Sequence, residues 1–426
     1  MVVALLAVRW AATATTANFA INLVATYAGI VVVSLAWAHD RRAGLLRWII
    51  ATATLVVCGG VLELPAAARW IDYRSVFRTP ILAPDDNPYF DFDPELLFRR
   101  QPFGHFQGVM DAGDMSYVFD VPDAEPLAYD VTYDSHGFRN SEELSSAEVV
   151  VIGDSFVEGT YVAERDLLSG VMARRLGSPV GNFGVIAYGP QQELVVLRRY
   201  ALPLKPRTVV WVFYEGNDLK DAERYEDIRA NPGPAIARKN SFWGRSFSKN
   251  ALQFASRLAG DPKPSALPRS AWVTDAQGQR IRIYFLYPGL ALGPEFDRSI
   301  QLTTTALTTA SQLAAAQGAR LIVAFAPTKY RVFRDFCEFE PGVEGAHWVL
   351  NDLPDRLRLA VQTLGGNAEF VDLTLPLQDA AGAGAMPYAR ADAHWSALGH
   401  RIAADAILTA MSKNPEGAVR ALVTQR

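Results

Sequence analysis

Hydrophobic residues crowd the front of this chain. From Trp10 to Ala38 no charged side chain occurs over 29 residues, and a helix needs about 20 apolar residues to cross a bilayer core. A second uncharged run, Trp48 to Leu62, has 15 residues. It reaches spanning length when Leu45 and Leu46 are included and Arg47 snorkels toward the headgroups. Two transmembrane helices are therefore expected within residues 1–70. The first run is too long for the apolar core of a cleaved signal peptide. Between the runs lie His39, Asp40, Arg41, Arg42 and Arg47. Positive loops favour the cytoplasmic side. Both termini and the large C-terminal part are then expected outside the cytoplasmic (inner) membrane, although Arg9 and the N-terminal amine oppose that topology.

Residues 71–145 are polar and rich in Asp, Pro and Gly. They predict a small β-containing lead-in that packs on the domain C-terminal to it. The alternation in Met115-Ser-Tyr-Val-Phe-Asp120 predicts a strand. From residue 146 the pattern changes. Glu148–Ile152 is a short β-branched run, as in a buried parallel strand. A helical stretch carrying Leu168, Val171 and Met172 comes next and stops at Gly177. Strands are predicted at Pro179–Asn182, Thr208–Tyr214, Leu321–Phe325 and Glu369–Leu373. Helices are predicted at Gln191–Tyr200, along the Leu302–Ala314 stripe ended by Gly318, and at Ser396–Met411. Strands alternating with helices predict an α/β domain over 146–426, with a parallel sheet covered on both faces. Residues 219–300 break that rhythm with Asn-Pro-Gly-Pro and Lys-Pro clusters, and read as an inserted loop or cap.

Composition narrows the functional classes. The 426 residues amount to about three domain-lengths. Lys plus Arg is 41 and Asp plus Glu is 45, so the net charge is 41 − 45 = −4. That gives no basic excess to draw a nucleic-acid backbone. Two cysteines exclude a disulfide scaffold and a four-cysteine zinc site. No Gly-x-x-x-x-Gly-Lys-Ser/Thr loop and no His-Glu-x-x-His occurs. No cofactor, nucleotide or metal is expected.

Ligands of open parallel sheets bind beyond the carboxyl ends of the strands. Gly153-Asp-Ser155 follows the first strand of the domain. Asn182-Phe-Gly184 follows the second, and Gly216-Asn-Asp218 the third. Asp392-Ala-His394 precedes the closing helix. Together they supply the groups that acyl transfer by a serine requires. Ser155 is the candidate nucleophile at a strand-to-helix turn. His394 is the base, and Asp392 fixes its tautomer. The Ser155 N–H, the Gly184 N–H and the Asn217 amide are candidate oxyanion-hole donors. Residue 157 is Val, so this is not the Gly-x-Ser-x-Gly elbow of α/β-hydrolases. Asp154, Lys329 and Arg139 are candidate substrate-binding residues. Lys329 could equally be solvated, and for Arg139, with His136 and Phe138, a structural turn is favoured over lining the cleft. His400 is expected on the closing helix outside the site, and His105 and His347 at the surface or in structural positions.

Gly153-Asp-Ser-Phe156, Gly184, Gly216-Asn-Asp218 and Asp392-Ala-His394 resemble the four blocks of the SGNH/GDSL hydrolase family, in family order, over roughly residues 147–412. The resemblance implies a flavodoxin-like three-layer α/β/α fold, with Ser155, Gly184, Asn217 and His394 as the name-giving residues. The spacing is Asp-x-His where the family commonly has Asp-x-x-His. Asp392-Ala-His-Trp395 and Pro327-Thr-Lys329 are similar to the SGNH proteins of alginate-type exopolysaccharide O-acetylation. Those usually replace the Asp of Gly-Asp-Ser, whereas this chain keeps Asp154. The expected function is a membrane-anchored serine esterase that cleaves an acyl ester of a glycan or lipid. An O-acetyltransferase of a polysaccharide, working beside a membrane-bound O-acyltransferase, is one alternative. A non-catalytic glycan-binding protein on the same scaffold is the other.

Overall fold

A computed structural model describes residues 16–77, 90–111, 113–123, 125–258 and 263–413. The chain divides into two compact units, Met1–Pro88 with Gly233–Pro264, and Tyr89–Pro232 with Ser265–Arg426.

The first unit contains helices α1 (Thr16–Ala36) and α2 (Arg41–Ala67). The two pair through Trp48 Nε1, which donates to Ser34 Oγ at 2.6 Å. Tyr27 and Trp48 rings meet edge to face. Asp40 caps α2 by accepting from the Arg42 and Ala43 N–H groups. Among the described residues α2 is the one helix long and apolar enough to cross a membrane, and none of its apolar window is buried. The start of the first apolar run, Trp10 to Thr15, lies outside the described residues. In the same unit, the helix Phe247–Leu258 is capped by Glu63, whose carboxylate accepts from the Phe247 and Ser248 N–H groups.

The second unit opens with two antiparallel pairs. These are β1 (Phe90–Asp93) with β2 (Leu97–Arg100), and β3 (His105–Asp111) with β4 (Pro126–Thr132). The strand expected at Met115–Asp120 is instead a turn of helix, α3 (Met115–Val118). Met115 is fully buried and the Ser116 hydroxyl donates to Gly113 O at 2.7 Å. These contacts outweigh a weak β preference.

The sheet is β5 (Val149–Gly153), β6 (Val180–Gly184), β7 (Thr208–Tyr214), β10 (Arg320–Ala326) and β11 (Ala368–Asp372), in the order β11-β10-β7-β5-β6 and parallel throughout. Numbered within the sheet, that is the 2-1-3-4-5 order of flavodoxin-like folds. Alternate residues of each strand feed opposite faces. Val149, Val151, Val210, Val212, Ile322 and Ala324 meet α5 (Leu168–Leu176), α11 (Thr374–Gly382) and α12 (Ala397–Lys413). Val150, Ile152, Val209, Trp211, Leu321 and Val323 meet α6 (Pro190–Val196), α8 (Asp297–Ala316) and α10 (Leu353–Gln362). Both faces are buried, which explains the continuous apolar runs.

Between β7 and α8 the chain is not a plain loop. Helix α7 (Asp218–Ala230) and the hairpin β8 (Ser270–Thr274)–β9 (Arg280–Tyr284) belong to the second unit. Residues 233–264 group with the N-terminal helices.

Candidate active site

The chain leaves β5 toward β6 on one side of the sheet, while β7 lies on the other. At this switch point a crevice opens beyond the strand ends. Ser155 begins α4 (Ser155–Glu158) immediately after β5. Asp154 caps that helix, its Oδ1 accepting from Phe156 N–H at 2.9 Å. Five buried residues of β5 and the buried Phe156 and Val157 fix the turn from both sides.

The segment before α12 supplies the partners. His394 Nε2 lies 2.7 Å from Ser155 Oγ, and His394 Nδ1 lies 2.6 Å from Asp392 Oδ1. The same Asp392 oxygen accepts from His394 N–H at 2.8 Å. Phe156 backs the imidazole with ring centroids 5.0 Å apart, and Trp395 meets Phe156 edge to face. The structure thus brings Ser155, His394 and Asp392 into one hydrogen-bonded series.

A residue not singled out in the sequence joins them. Asp114 donates its N–H to Asp392 Oδ2 at 2.8 Å. Its carboxylate accepts from Ala393 N–H, with both oxygens at 3.1 Å, and lies 3.8 Å from His394 Nδ1. Asp114, Asp392 and His394 each place a ligand-type atom within 4.8 Å of the others. Each of those groups already takes part in the hydrogen bonds just given, so the cluster reads as a relay rather than a cation cradle.

Burial alone would push His394 down. The Asp392 carboxylate and its hydrogen bond, with the charges of Asp114 and Asp154, raise it to about 9. Burial pushes Asp392 up, but His394 and two backbone N–H donors hold it below the usual carboxylate range. Burial and the Asp392 charge raise Asp114 to about 7. Further acids lie behind the nucleophile. Burial lifts Asp154 to about 6 and Asp221 to about 7, and lifts Glu193 and Asp218 well above the carboxylate range.

The proposed oxyanion donors are differently placed. The Gly184 N–H donates to Asn182 Oδ1 at 3.0 Å, and a Cβ at Gly184 would meet Glu158 N at 2.3 Å. The glycine is required for close approach of β6 to α4, and its N–H is already engaged. Asn217 Nδ2 donates to Asp221 Oδ2 at 2.6 Å. Asn217 also starts the turn into α7.

The three candidate substrate binders are structural. Lys329 Nζ is buried and donates to the carbonyls of Tyr284, Ala389 and Arg390 at 2.8, 2.7 and 3.0 Å. Burial lowers it to about 8. Arg139 is buried and donates to the carbonyls of Glu158, Gly159 and Val162. Asp154 is fully buried as the α4 cap. His400 lies on α12, buried, with its Nδ1 accepting from Leu168 N–H at 3.2 Å.

A small cleft of about 50 Å³ lies at the carboxyl ends of β7 and β10. Gly216, Leu219, Tyr287, Leu290, Phe296 and Leu353 are among the residues that line it. Gly216 immediately precedes Asn217, so the cleft adjoins the switch point.

A 2-1-3-4-5 parallel sheet with a serine, histidine and aspartate series beyond its carboxyl edge is the arrangement that the sequence resemblance to the SGNH type, a class of serine esterases and acyltransferases, implies. More particularly, residues 287–425 match the family model described as "SGNH hydrolase-like domain, acetyltransferase AlgX". That span contains Asp392 and His394, and Ser155 lies before it. No curated protein matches the chain. Among solved structures, the chain is similar to a putative acylhydrolase from Bacteroides fragilis at 15% identity, covering 64% of this chain and 91% of that one, TM-score 0.32. It is also similar to a catalytic mutant of the acetylxylan esterase Axe2 from Geobacillus stearothermophilus at 12% identity, covering 62% and 94%, TM-score 0.34.

Proposed function

We propose that this chain is a membrane-anchored SGNH-type enzyme that cleaves acyl esters through an acyl-Ser155 intermediate. The observation that carries the reading is the series Ser155 Oγ···His394 Nε2 at 2.7 Å and His394 Nδ1···Asp392 Oδ1 at 2.6 Å. His394 Nε2 takes the Ser155 proton as Oγ attacks the ester carbonyl carbon. The carbonyl π electrons move to oxygen, and the Ser155 N–H is the proposed donor to it. Collapse breaks the ester C–O bond, and His394 returns the proton to the leaving alcohol. Asp392 holds the imidazole and stabilises its charged form. Water, deprotonated by His394, then attacks the acyl carbon, the bond from that carbon to Ser155 Oγ breaks, and His394 returns the proton to Oγ as the acid leaves. The leaving alcohol belongs to a glycan or lipid, and the cleft beside Asn217 is the proposed seat for part of it.

A second reading replaces water with a sugar hydroxyl, giving a polysaccharide O-acetyltransferase that works beside a membrane-bound O-acyltransferase. It is favoured by the acetyltransferase description of the matched family. The apolar helix α2 supports anchoring; two spans, with the second unit on the extracytoplasmic side, are proposed from the sequence pattern alone. A C-terminal reporter active in only one compartment tests that orientation.

The chemical test follows p-nitrophenol release from its acetyl ester by the full chain in detergent, with and without an oligosaccharide acceptor. Release in water that Ser155→Ala abolishes supports the esterase. Release that needs the acceptor, with acetyl mass gained by the sugar, supports the transferase. Equal release by wild type and Ser155→Ala rejects both.

A further inference from the structure

Asp114 and the 392–393 segment hold each other by reciprocal bonds. Each supplies a backbone N–H to the other's carboxylate, at 2.8 Å in one direction and 3.1 Å in the other. Asp392 is fully buried, and the Asp114 side chain is only 16% exposed. The preceding Gly113 has φ 55°, and a Cβ there would meet Asp392 Oδ2 at 2.3 Å. The chain is therefore shaped at residue 113 to bring Asp114 alongside Asp392. Ala393 and His394 are consecutive, so an oxygen fixed on the Ala393 N–H also fixes the origin of the imidazole. We propose that Asp114 is a positioning residue for the Ser155–His394–Asp392 series, holding the 392–394 segment in register and setting a second negative charge beside the imidazole. This inference rests on the reading of Ser155 as nucleophile and His394 as base.

The groups facing the Asp114 carboxylate come from several elements. Asp392 and His394 come from the segment before α12, and Lys329 from α9 (Lys329–Phe333). Tyr117 of α3, Tyr161 after α4, Tyr214 at the end of β7 and Tyr287 after β9 also face it. His394 is the group whose charge changes during the reaction. An ionised Asp114 favours the imidazolium, so its loss makes the neutral base available at lower pH.

The test measures kcat and KM for p-nitrophenyl acetate against pH, using the full chain in detergent. Wild type is compared with Asp114→Ala, Asp114→Asn and Ser155→Ala. Asp114→Ala removes both bond and charge and is expected to lower kcat by about 10²-fold with KM little changed, because the base is misplaced. Asp114→Asn keeps an oxygen for the Ala393 N–H but no charge. It is expected to recover most of the plateau kcat while moving the acid limb to lower pH. If Asp114→Ala fails to fold, the acid limb of Asp114→Asn decides alone. A wild-type acid limb in Asp114→Asn, or wild-type kcat in Asp114→Ala, overturns the proposal. Undiminished activity in Ser155→Ala overturns the reading beneath it instead.

Discussion

His394 Nε2 stands 2.7 Å from the Ser155 hydroxyl oxygen across 239 residues of sequence. Only the folded α/β domain brings the two together. β5 delivers the serine to the carboxyl edge of the sheet, and the segment before α12 delivers the histidine. The contact is short enough for proton transfer, which ties ester cleavage to the charge state of His394.

The pH dependence of cleavage derives from that charge state. His394 is raised to about 9 by Asp392, Asp114 and Asp154. A general base must be neutral, so kcat/KM is expected to climb from pH 6 and to level only near pH 9. A pH–rate profile checks this. An acid limb near 6.5 means that the neighbouring carboxylates do not act on the imidazole as argued.

Gly113→Ala is expected to damage both stability and activity. The φ of 55° costs a residue with a Cβ about 1–2 kcal/mol, and the new methyl would collide with the Asp392 carboxylate. The melting temperature should fall and kcat should drop, because Asp392 must move to make room. A variant with unchanged kcat would show that the site tolerates displacement of Asp392.

Lys329→Met tests the structural role assigned to that lysine. Its ammonium satisfies three carbonyls in a buried position. Removing it leaves those acceptors without this donor, at a cost of about 3 kcal/mol or more. Denaturant unfolding should show that loss. KM for a small acyl ester should stay the same, whereas a large rise in KM would restore a substrate-binding role.

His400 makes a distinct contribution to acid sensitivity. Burial lowers it from 6.5 to about 3. Between those values the unfolded chain binds a proton that the folded chain refuses. Its contribution to stability is therefore full above pH 6.5 and declines as pH falls toward 3, by about 1.4 kcal/mol per pH unit. The buried acids titrate in the opposite sense, so the readout is a difference. His400→Gln should unfold with a shallower acid dependence than wild type. Equal slopes would mean that His400 is not held neutral.

The central strands β5, β7 and β10 are legible because they are buried on both faces and read as uninterrupted apolar runs, as in Val149–Ile152 and Thr208–Tyr214. Ser155 is legible from its place at the end of β5, and Asp392 and His394 from their place just before the closing helix. The bond made by the Gly184 N–H was not legible, because it depends on the orientation of Asn182 two residues earlier. For Lys329 and Arg139 the sequence leaves substrate binding open beside another reading, for one shared reason. A basic residue next to a site motif looks free to meet a ligand, and only the fold reveals that backbone carbonyls claim it. Asp114 gave no signal at all. It is one of many acids in a polar lead-in, in a stretch whose alternation suggested a strand. Its meaning lies in a contact 278 residues away.

Glu158 closes the nucleophile helix with its carboxylate fully buried. Arg100 and Tyr133 both donate to its Oε1, and the Ile186 N–H donates to its Oε2 at 2.5 Å. Two of these three donors precede residue 146. A gene trimmed to the stretch that reads as the α/β domain would encode a protein with a stranded acid at the end of the helix that Ser155 begins. The heritable unit of this site therefore reaches upstream to the β1–β2 hairpin, and recombination that exchanges the sheet must carry the hairpin with it.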